Sequence, residues 1–279
     1  MKKFLLLPLF TALTLTAVEH PYTVSSQTQY MNTLVDSIST KYTHLEENNA
    51  STQVNLDALY SEYYTVANLD ASYVYNNRVG ISLYLPYVNY HNDNLNPTVN
   101  ESSIGDTSVG ISFDAGSFDN DLENKNIFEL RYTYDSGDVK KGTGMGAQSV
   151  AILWETIGKI DDFTLYGSLM WTYYITDTDS GIDIGSDDLL WFGASHPCLL
   201  SDKVETNLKF MWQSKYSDHD QNDDKITDSY YDIIDITLQW NSDKLIKDVP
   251  LTAGIRVPIY SSSHVDTSVN AFIGIGGLF

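Results

Sequence analysis

The sequence predicts an all-β fold, a transmembrane up-and-down antiparallel β-barrel of about twelve strands, with about fourteen as the alternative. Three observations predict it. From residue 52 onward, apolar and polar residues alternate along most segments, as in strands that face two different environments. Many segments run about 10 to 14 residues, close to the length that a tilted strand needs to cross a bilayer. Short and long connections alternate along the chain, which is typical of membrane barrels.

The amino terminus has the layout of a cleaved secretory signal peptide. Residues 1–17 read MKKFLLLPLFTALTLTA, with Lys2 and Lys3 before an apolar run and the small residue Ala17 at the expected cleavage point. The apolar run is too short to cross a bilayer as a helix. We therefore expect residues 1–17 to be removed and the remaining chain to be exported.

Residues 18–51 allow two interpretations. They could form one more hairpin, which would give fourteen strands, or a periplasmic or lumenal segment outside the barrel wall. The barrel itself is predicted as one domain over residues 52–279, because a closed sheet has no internal linker.

The predicted strands follow one another with polar turns between them. An even number places both ends of the barrel on the periplasmic side. The strands are predicted at residues 52–65, 69–76, 78–88, 105–115, 125–135, 146–157, 161–176, 186–196, 202–216, 229–241, 249–261 and 265–279.

One face of each strand is apolar enough to contact lipid. Within residues 161–175, the residues Phe163, Leu165, Leu169 and Trp171 share a face with further apolar residues. In such a barrel, lipid takes the place of a second apolar layer, and closure of the sheet satisfies the backbone hydrogen-bonding groups. Taking the carboxyl end as periplasmic, the long connections 89–105, 135–146, 176–186 and 216–228 lie outside the cell.

Charge and composition exclude several function classes. The formal net charge is −21, so nucleic acid is not expected as a partner. Cys198 is the single cysteine and the six histidines are scattered, so neither a disulfide framework nor a zinc site is predicted. No serine and histidine stand in an arrangement that indicates a hydrolase, and we predict neither an enzyme nor a cofactor.

A weak calcium-loop pattern occurs in an acidic outer connection. The stretch DHDQNDD, residues 218–224, offers Asp218, Asp220 and Asn222 at the spacing of a calcium loop. The glycine that such loops require is replaced by Asp223, so the pattern does not predict an EF-hand.

Two neighbouring segments resemble a known family. NNRVGISLYLPYV (76–88), which ends in Leu85-Pro86, is followed after a loop by SIGDTSVGISF (103–113), which begins with Gly105-Asp106. This arrangement is similar to the outer-membrane channel family named after the meta-pathway of phenol degradation. A departure is Asn76-Asn77, where the family often has a glycine-rich turn. The resemblance implies a channel or transporter in the outer membrane of a Gram-negative bacterium, without identifying its solute.

Resemblance to outer-membrane barrels also implies partners. These are outer-membrane lipid, a small-molecule solute, and the barrel assembly machinery, which reads a terminal aromatic residue such as Phe279 on the last strand.

Charged residues on the faces opposite the lipid are the pore-lining candidates. Glu129 and Arg131 on one strand, with Asp235 and Arg256 on two others, would either set a transverse field on a solute or form ion pairs that stiffen the wall. The candidates are Asp57, Asp106, Asp114, Glu129, Arg131, Glu155, Glu205, Lys209, Asp235 and Arg256.

Two functions follow from this prediction. The first is passive passage of small solutes, with hydrophobic or aromatic ones among the candidates. The second is a structural or surface-interaction barrel that has a plugged lumen and acidic, cation-binding loops.

Overall fold

The computed structural model of the chain contains a closed antiparallel barrel. It describes residues 50–62, 64–75, 78–92, 99–116, 124–141, 143–178, 181–198, 201–227, 229–246, 249–262 and 268–278. The predicted signal peptide, nearly all of segment 18–51, and Phe279 lie outside the described residues. No helix in the described ranges is long and apolar enough to cross a membrane.

Thirteen strands form one sheet. Strands that follow each other in the chain pair with each other, except β4 and β5, and β1 pairs with both β2 and β13, which closes the sheet. Their bounds are β1 Ala50–Tyr60, β2 Tyr64–Tyr75, β3 Val79–Asn92, β4 Val99–Ile104, β5 Thr107–Gly116, β6 Asn124–Tyr134, β7 Ser149–Ile160, β8 Phe163–Tyr174, β9 Asp187–Cys198, β10 Ser201–Lys215, β11 Tyr231–Ile246, β12 Val249–Ser261 and β13 Asn270–Leu278.

Twelve of the thirteen strands form the barrel wall, as predicted. The exception is β4, whose pairing in the described part of the chain is with the outer half of β3. The other half of β3, from Val79 to Tyr84, pairs with β5. Two residues, Gly105 and Asp106, separate β4 from β5, and the N–H of Gly105 donates to the carbonyl of Pro86 at 2.8 Å. The interruption therefore lies in the strand opposite Pro86, whereas β3 itself continues through Pro86.

The two faces of the wall differ as the alternation predicts. On β8, Phe163, Leu165, Leu169 and Trp171 are exposed, whereas Met170 and its alternate neighbours are buried. The same pattern recurs around the barrel, where leucine, isoleucine, valine and aromatic side chains dominate the exposed outer face. A continuous exposed apolar band on a closed barrel is the surface that a bilayer covers.

Most connections are short at one end of the barrel and long at the other, and the short turn between β1 and β2 at the long-connection end is an exception. β7 and β8 are joined by Asp161 and Asp162 alone, and β9 to β10 and β11 to β12 also leave two residues each. Residues 135–148, 175–186 and 216–230 connect strands at the opposite end. The connection predicted at 241–249 shortens to two residues because β11 continues to Ile246. The predicted asymmetry is thus present and more pronounced.

One glycine on the inner face admits a neighbouring ring. Gly254 on β12 pairs directly with Phe272 on β13, and the ring of Phe272 lies over the glycine, where any β-carbon would overlap it. An aromatic ring that covers a cross-strand glycine shields the backbone and fixes the local register. Phe272 is buried.

Candidate functional site: the barrel lumen

The structure places the ten pore-lining candidates on the inner side of the wall or at its ends. Asp57, Asp106, Glu129, Arg131, Lys209, Asp235 and Arg256 are buried, Asp114 and Glu155 are partly buried, and Glu205 is exposed near the short-turn end of β10. Burial of so many charged side chains is unusual in a soluble protein unless they are paired. Here they face the interior of the barrel.

The first ion pair lies near the middle of β6. Nε of Arg131 donates to Oε1 of Glu129 at 2.9 Å. Tyr84 on β3 donates its hydroxyl to the same carboxylate at 3.2 Å, and the Arg131 guanidinium lies 4.1 Å from the centre of the Tyr84 ring. The ring and the carboxylate therefore hold the guanidinium in one position.

A glycine makes room for this ion pair. Gly110 on β5 pairs with Arg131, and a β-carbon there would lie 2.6 Å from Oε1 of Glu129. The carboxylate can therefore lie against the wall only because position 110 has no side chain.

The second ion pair lies on the opposite wall. Arg256 on β12 donates to Asp235 on β11, and both are buried. β6 and β12 are half-way round the wall from each other. The lumen is thus flanked by two ion pairs on opposite sides of the wall, and the role expected of these four residues remains a prediction.

A third charged group differs from these two. Nζ of Lys209 on β10 lies 5.7 Å from the centre of the Tyr166 ring and 5.2 Å from that of Trp191. The two rings meet edge to face, with their centres 5.5 Å apart. The Tyr166 hydroxyl donates to Oδ1 of Asn207 at 2.5 Å.

Apolar clusters inside the barrel were not anticipated from the sequence. One joins inward residues of β1, β2, β3, β11 and β13, and it consists of Leu59, Tyr64, Val66, Val88, Tyr90, Tyr231, Ile233 and Phe272. The other lies on β7 to β10 and consists of Ala151, Leu153, Met170, Leu189 and Met211, with Trp191 packed against it. One feature of the sequence could have indicated these clusters. Strands such as β2 carry apolar residues on both faces in their outer halves, and a lumen filled only with water does not require apolar residues on the inner face.

The long connections fold together at the outer end of the lumen. The carboxylate of Asp106, between β4 and β5, accepts the N–H of Gly137 at 2.9 Å and of Met145 at 2.7 Å. Met145 and Ala147 then pack against Tyr174 of β8 and Ile184 of the next connection. Because Tyr174 is an inward residue, the segment 135–148 lies over the lumen. We call residues 135–148, 175–186 and 216–230 the outer cap.

The third connection joins the cap through a buried ion pair. Asp218 contacts the ammonium of Lys215 and accepts the N–H of Gly185 at 2.8 Å. Lys215 also donates to the carbonyl of Ser229 at 2.9 Å. Asp183 and His219 form a backbone bridge between the second and third connections. The cap is therefore held by specific polar contacts.

These contacts bear on the weak calcium pattern. Asp218 is directed at Lys215, whereas Asp220 accepts the N–H groups of Asn222 at 2.8 Å and Asp224 at 3.0 Å. These hydrogen bonds lower the pKa of Asp220, which is exposed. Within the described ranges no group of three histidine, cysteine or acidic residues is arranged to hold a metal ion. Asp218, Asp220 and Asn222 are thus part of a turn and a buried ion pair.

Comparison with known proteins gives matches of fold. No protein-family model and no curated protein matches the sequence. An outer membrane channel from Pseudomonas putida F1 matches with a TM-score of 0.65 and 7% identity, over 86% of this chain and 99% of that one. The NanC porin matches with a TM-score of 0.51 and 10% identity, over 81% and 98%. The KdgM porin gives a TM-score of 0.47 at 11% identity over 81% and 99%.

The chain therefore has the fold of outer-membrane channels and porins, a closed antiparallel barrel of twelve strands with an apolar outer face. At such identities the likeness is one of fold. The narrower resemblance to the phenol-pathway family remains a prediction.

Proposed function

We propose that this protein is a channel for passive passage of small solutes through the outer membrane of a Gram-negative bacterium, with membrane lipid around it. The observation that carries the proposal is the presence of two ion pairs on opposite sides of the wall, Glu129–Arg131 and Asp235–Arg256, inside a closed barrel with an apolar exterior. Charged side chains that line a pore are one means by which channels select solutes. The lumenal apolar clusters favour solutes that carry an apolar part.

Conductance in planar bilayers tests the proposal. Purified full-length chain, refolded in detergent and shown to be a barrel by circular dichroism, should give discrete openings. A folded barrel that stays silent under all voltages would contradict passive passage.

Selectivity tests the role of the first ion pair. Arg131→Gln leaves Glu129 as the only charge of the pair and should shift the reversal potential in a salt gradient toward cations, whereas Glu129→Gln should shift it toward anions. The double variant should return toward the wild type. Lys141→Gln in the exposed part of the cap is the matched control. If these variants change stability alone, the pair stiffens the wall and does not select ions.

The second candidate is a structural or surface-interaction barrel with a plugged lumen. The outer cap favours it, because Asp106 anchors the first connection and Asp218 joins the second and third over the lumen. We propose that the cap opens during passage. The alternative predicts that no variant of the cap produces current.

A further inference from the structure

One buried cation of the lumen differs from the others. Four basic residues of the described chain are buried, and three of them have a carboxylate partner: Arg131 with Glu129, Lys215 with Asp218, and Arg256 with Asp235. Lys209, which is 8% exposed, has no ion pair with a described carboxylate. Its contacts are the faces of Tyr166 and Trp191. The Glu155 carboxylate attracts it electrostatically without forming an ion pair with it.

Ring contacts compensate only part of what burial of an ammonium group costs. A buried cation that lacks an ion-pair partner loses more free energy by desolvation than cation–π contacts return. The position therefore favours any ligand that brings an oxygen with negative charge. Such a ligand would arrive through the lumen, toward which Lys209 points.

A second donor lies beside the ammonium group. Asn207 is the adjacent inward residue of β10 and is 3% exposed. Its Oδ1 accepts from Tyr166 at 2.5 Å, and its Nδ2 has no hydrogen-bond partner among the described residues. Nδ2 and the Lys209 ammonium are thus two donors on one strip of wall, and a carboxylate accepts two such hydrogen bonds at once.

Apolar surface adjoins the donors. Trp191 is half-buried and packs against the cluster that contains Leu189 and Met211. Met211 is the next inward residue of β10 beyond Lys209. A solute whose carboxylate contacts Lys209 and Asn207 would place its apolar part along Trp191 and this cluster.

We propose that Lys209, Asn207, Tyr166 and Trp191 form a binding site in the lumen for small carboxylates that carry an apolar body. The site rests on the proposed channel function for its physiological meaning, but binding itself does not require conduction. The ammonium and the amide hold the carboxylate, and the indole holds the apolar body.

Binding to the full chain in detergent micelles tests the site separately from conduction. Saturation-transfer difference NMR compares three probes: benzoate, acetate, which lacks the apolar body, and benzamide, which lacks the charge. Benzoate should bind about tenfold more tightly than either. Lys209→Met keeps the methylene stem on the rings and removes the charge, and it should abolish the preference for benzoate. Lys203→Met, an exposed lysine of the same strand, should leave it unchanged.

A second variant protects the test against misfolding of Lys209→Met. Asn207→Asp keeps an oxygen acceptor for Tyr166 and replaces the amide donor by a negative oxygen, so it should weaken benzoate binding by about tenfold or more. Equal binding of the three probes, or benzoate binding that survives both variants, overturns the proposal. Benzoate binding to a barrel that carries no current would uphold the site and contradict the channel. Conduction without benzoate preference would do the reverse.

Discussion

Removing the carboxylate of Asp106 should release the outer cap. This side chain is 4% exposed and holds two backbone donors of segment 135–148, Gly137 at 2.9 Å and Met145 at 2.7 Å. Asp106→Ala deletes both acceptors and leaves the two N–H groups without a partner wherever the cap stays closed. The perturbation acts on the cap, because Asp106 lies between β4 and β5 and its side chain has no part in strand pairing.

The magnitude follows from the number of hydrogen bonds. A buried donor that loses its acceptor costs about 1 to 3 kcal/mol, so two donors cost about 2 to 6 kcal/mol in the closed cap. In the open cap, water satisfies both donors. At about 1.4 kcal/mol for each factor of ten, the ratio of open to closed cap should rise by at least about thirtyfold.

Two assays report cap opening. The open fraction of single channels should rise in Asp106→Ala, and trypsin should cut faster after Lys141, which lies in the short turn Val139–Lys141 of the cap. Asp138→Ala is the matched control, since its pair with Lys141 spans 3.8 Å between half-exposed side chains and contributes less than about 1 kcal/mol. Unchanged open fraction and unchanged cleavage in Asp106→Ala would refute the role of this carboxylate in the cap.

Three further predictions concern pH and packing. Burial raises the pKa of Asp106 from 3.8 to about 6; hydrogen bonds from Met145 and Gly137 lower it, and the charge of Asp135 raises it further. The closed cap is therefore most stable below pH 3.8 and loses up to about 3 kcal/mol as the pH rises to about 6. The open fraction should increase over that range in the wild type and stay constant in Asp106→Asn. Gly254→Ala forces the Phe272 ring out of place and puts a methyl group 2.7 Å from the carbonyl oxygen of Leu238. Urea unfolding in vesicles should show that the free energy of unfolding falls by about 1 to 3 kcal/mol. In the control Gly167→Ala, the atom nearest to the added methyl group is 3.6 Å away, and the free energy of unfolding should fall by less than about 0.5 kcal/mol. Arg256→Met leaves Asp235 buried without its cation and should lower the free energy of unfolding by about 3 to 5 kcal/mol. Adding Asp235→Leu should restore most of that loss. Equal losses in the single and double variants would contradict the pairing.

Strand positions could be predicted closely because a membrane barrel imposes one simple pattern. β9 spans Asp187–Cys198 where the alternation predicts 186–196, and β12 spans Val249–Ser261 as predicted from residue 249 to 261. Lipid on one side and the lumen on the other leave a period of two that is visible without any tertiary contact.

The turn between the first two strands was misplaced for a physical reason. Asn68 and Asp70 stand close to the break predicted between residues 65 and 69, yet both are buried inward residues of β2. The turn lies earlier, where Oγ of Ser61 accepts the N–H of Tyr64 at 3.0 Å. Asparagine and aspartate indicate turns in soluble sheets, but a polar lumen accepts them within a strand.

The outer cap could not be predicted, because its contacts join distant segments. Asp106 and Met145 are far apart in the chain and carry no periodic signal. β4 was likewise read as part of the connection 89–105, since Asn100, Glu101 and Ser102 do not alternate with apolar residues. Its pairing with β3 supplies the backbone hydrogen bonds that define it.

The charges of the lumen also fix the register of the wall. On β6, Glu129 and Arg131 face inward, and Phe128 and Leu130 face outward with 39% and 55% of their surface exposed. A slip of one residue would reverse both faces and place the guanidinium in hydrocarbon, at a cost of about 2 to 4 kcal/mol near the midplane. It would also separate Arg131 from Tyr84 and move Glu129 away from Gly110, the position without a side chain that it requires. The residues proposed to select solutes therefore also exclude the slipped pairing of the strands that carry them.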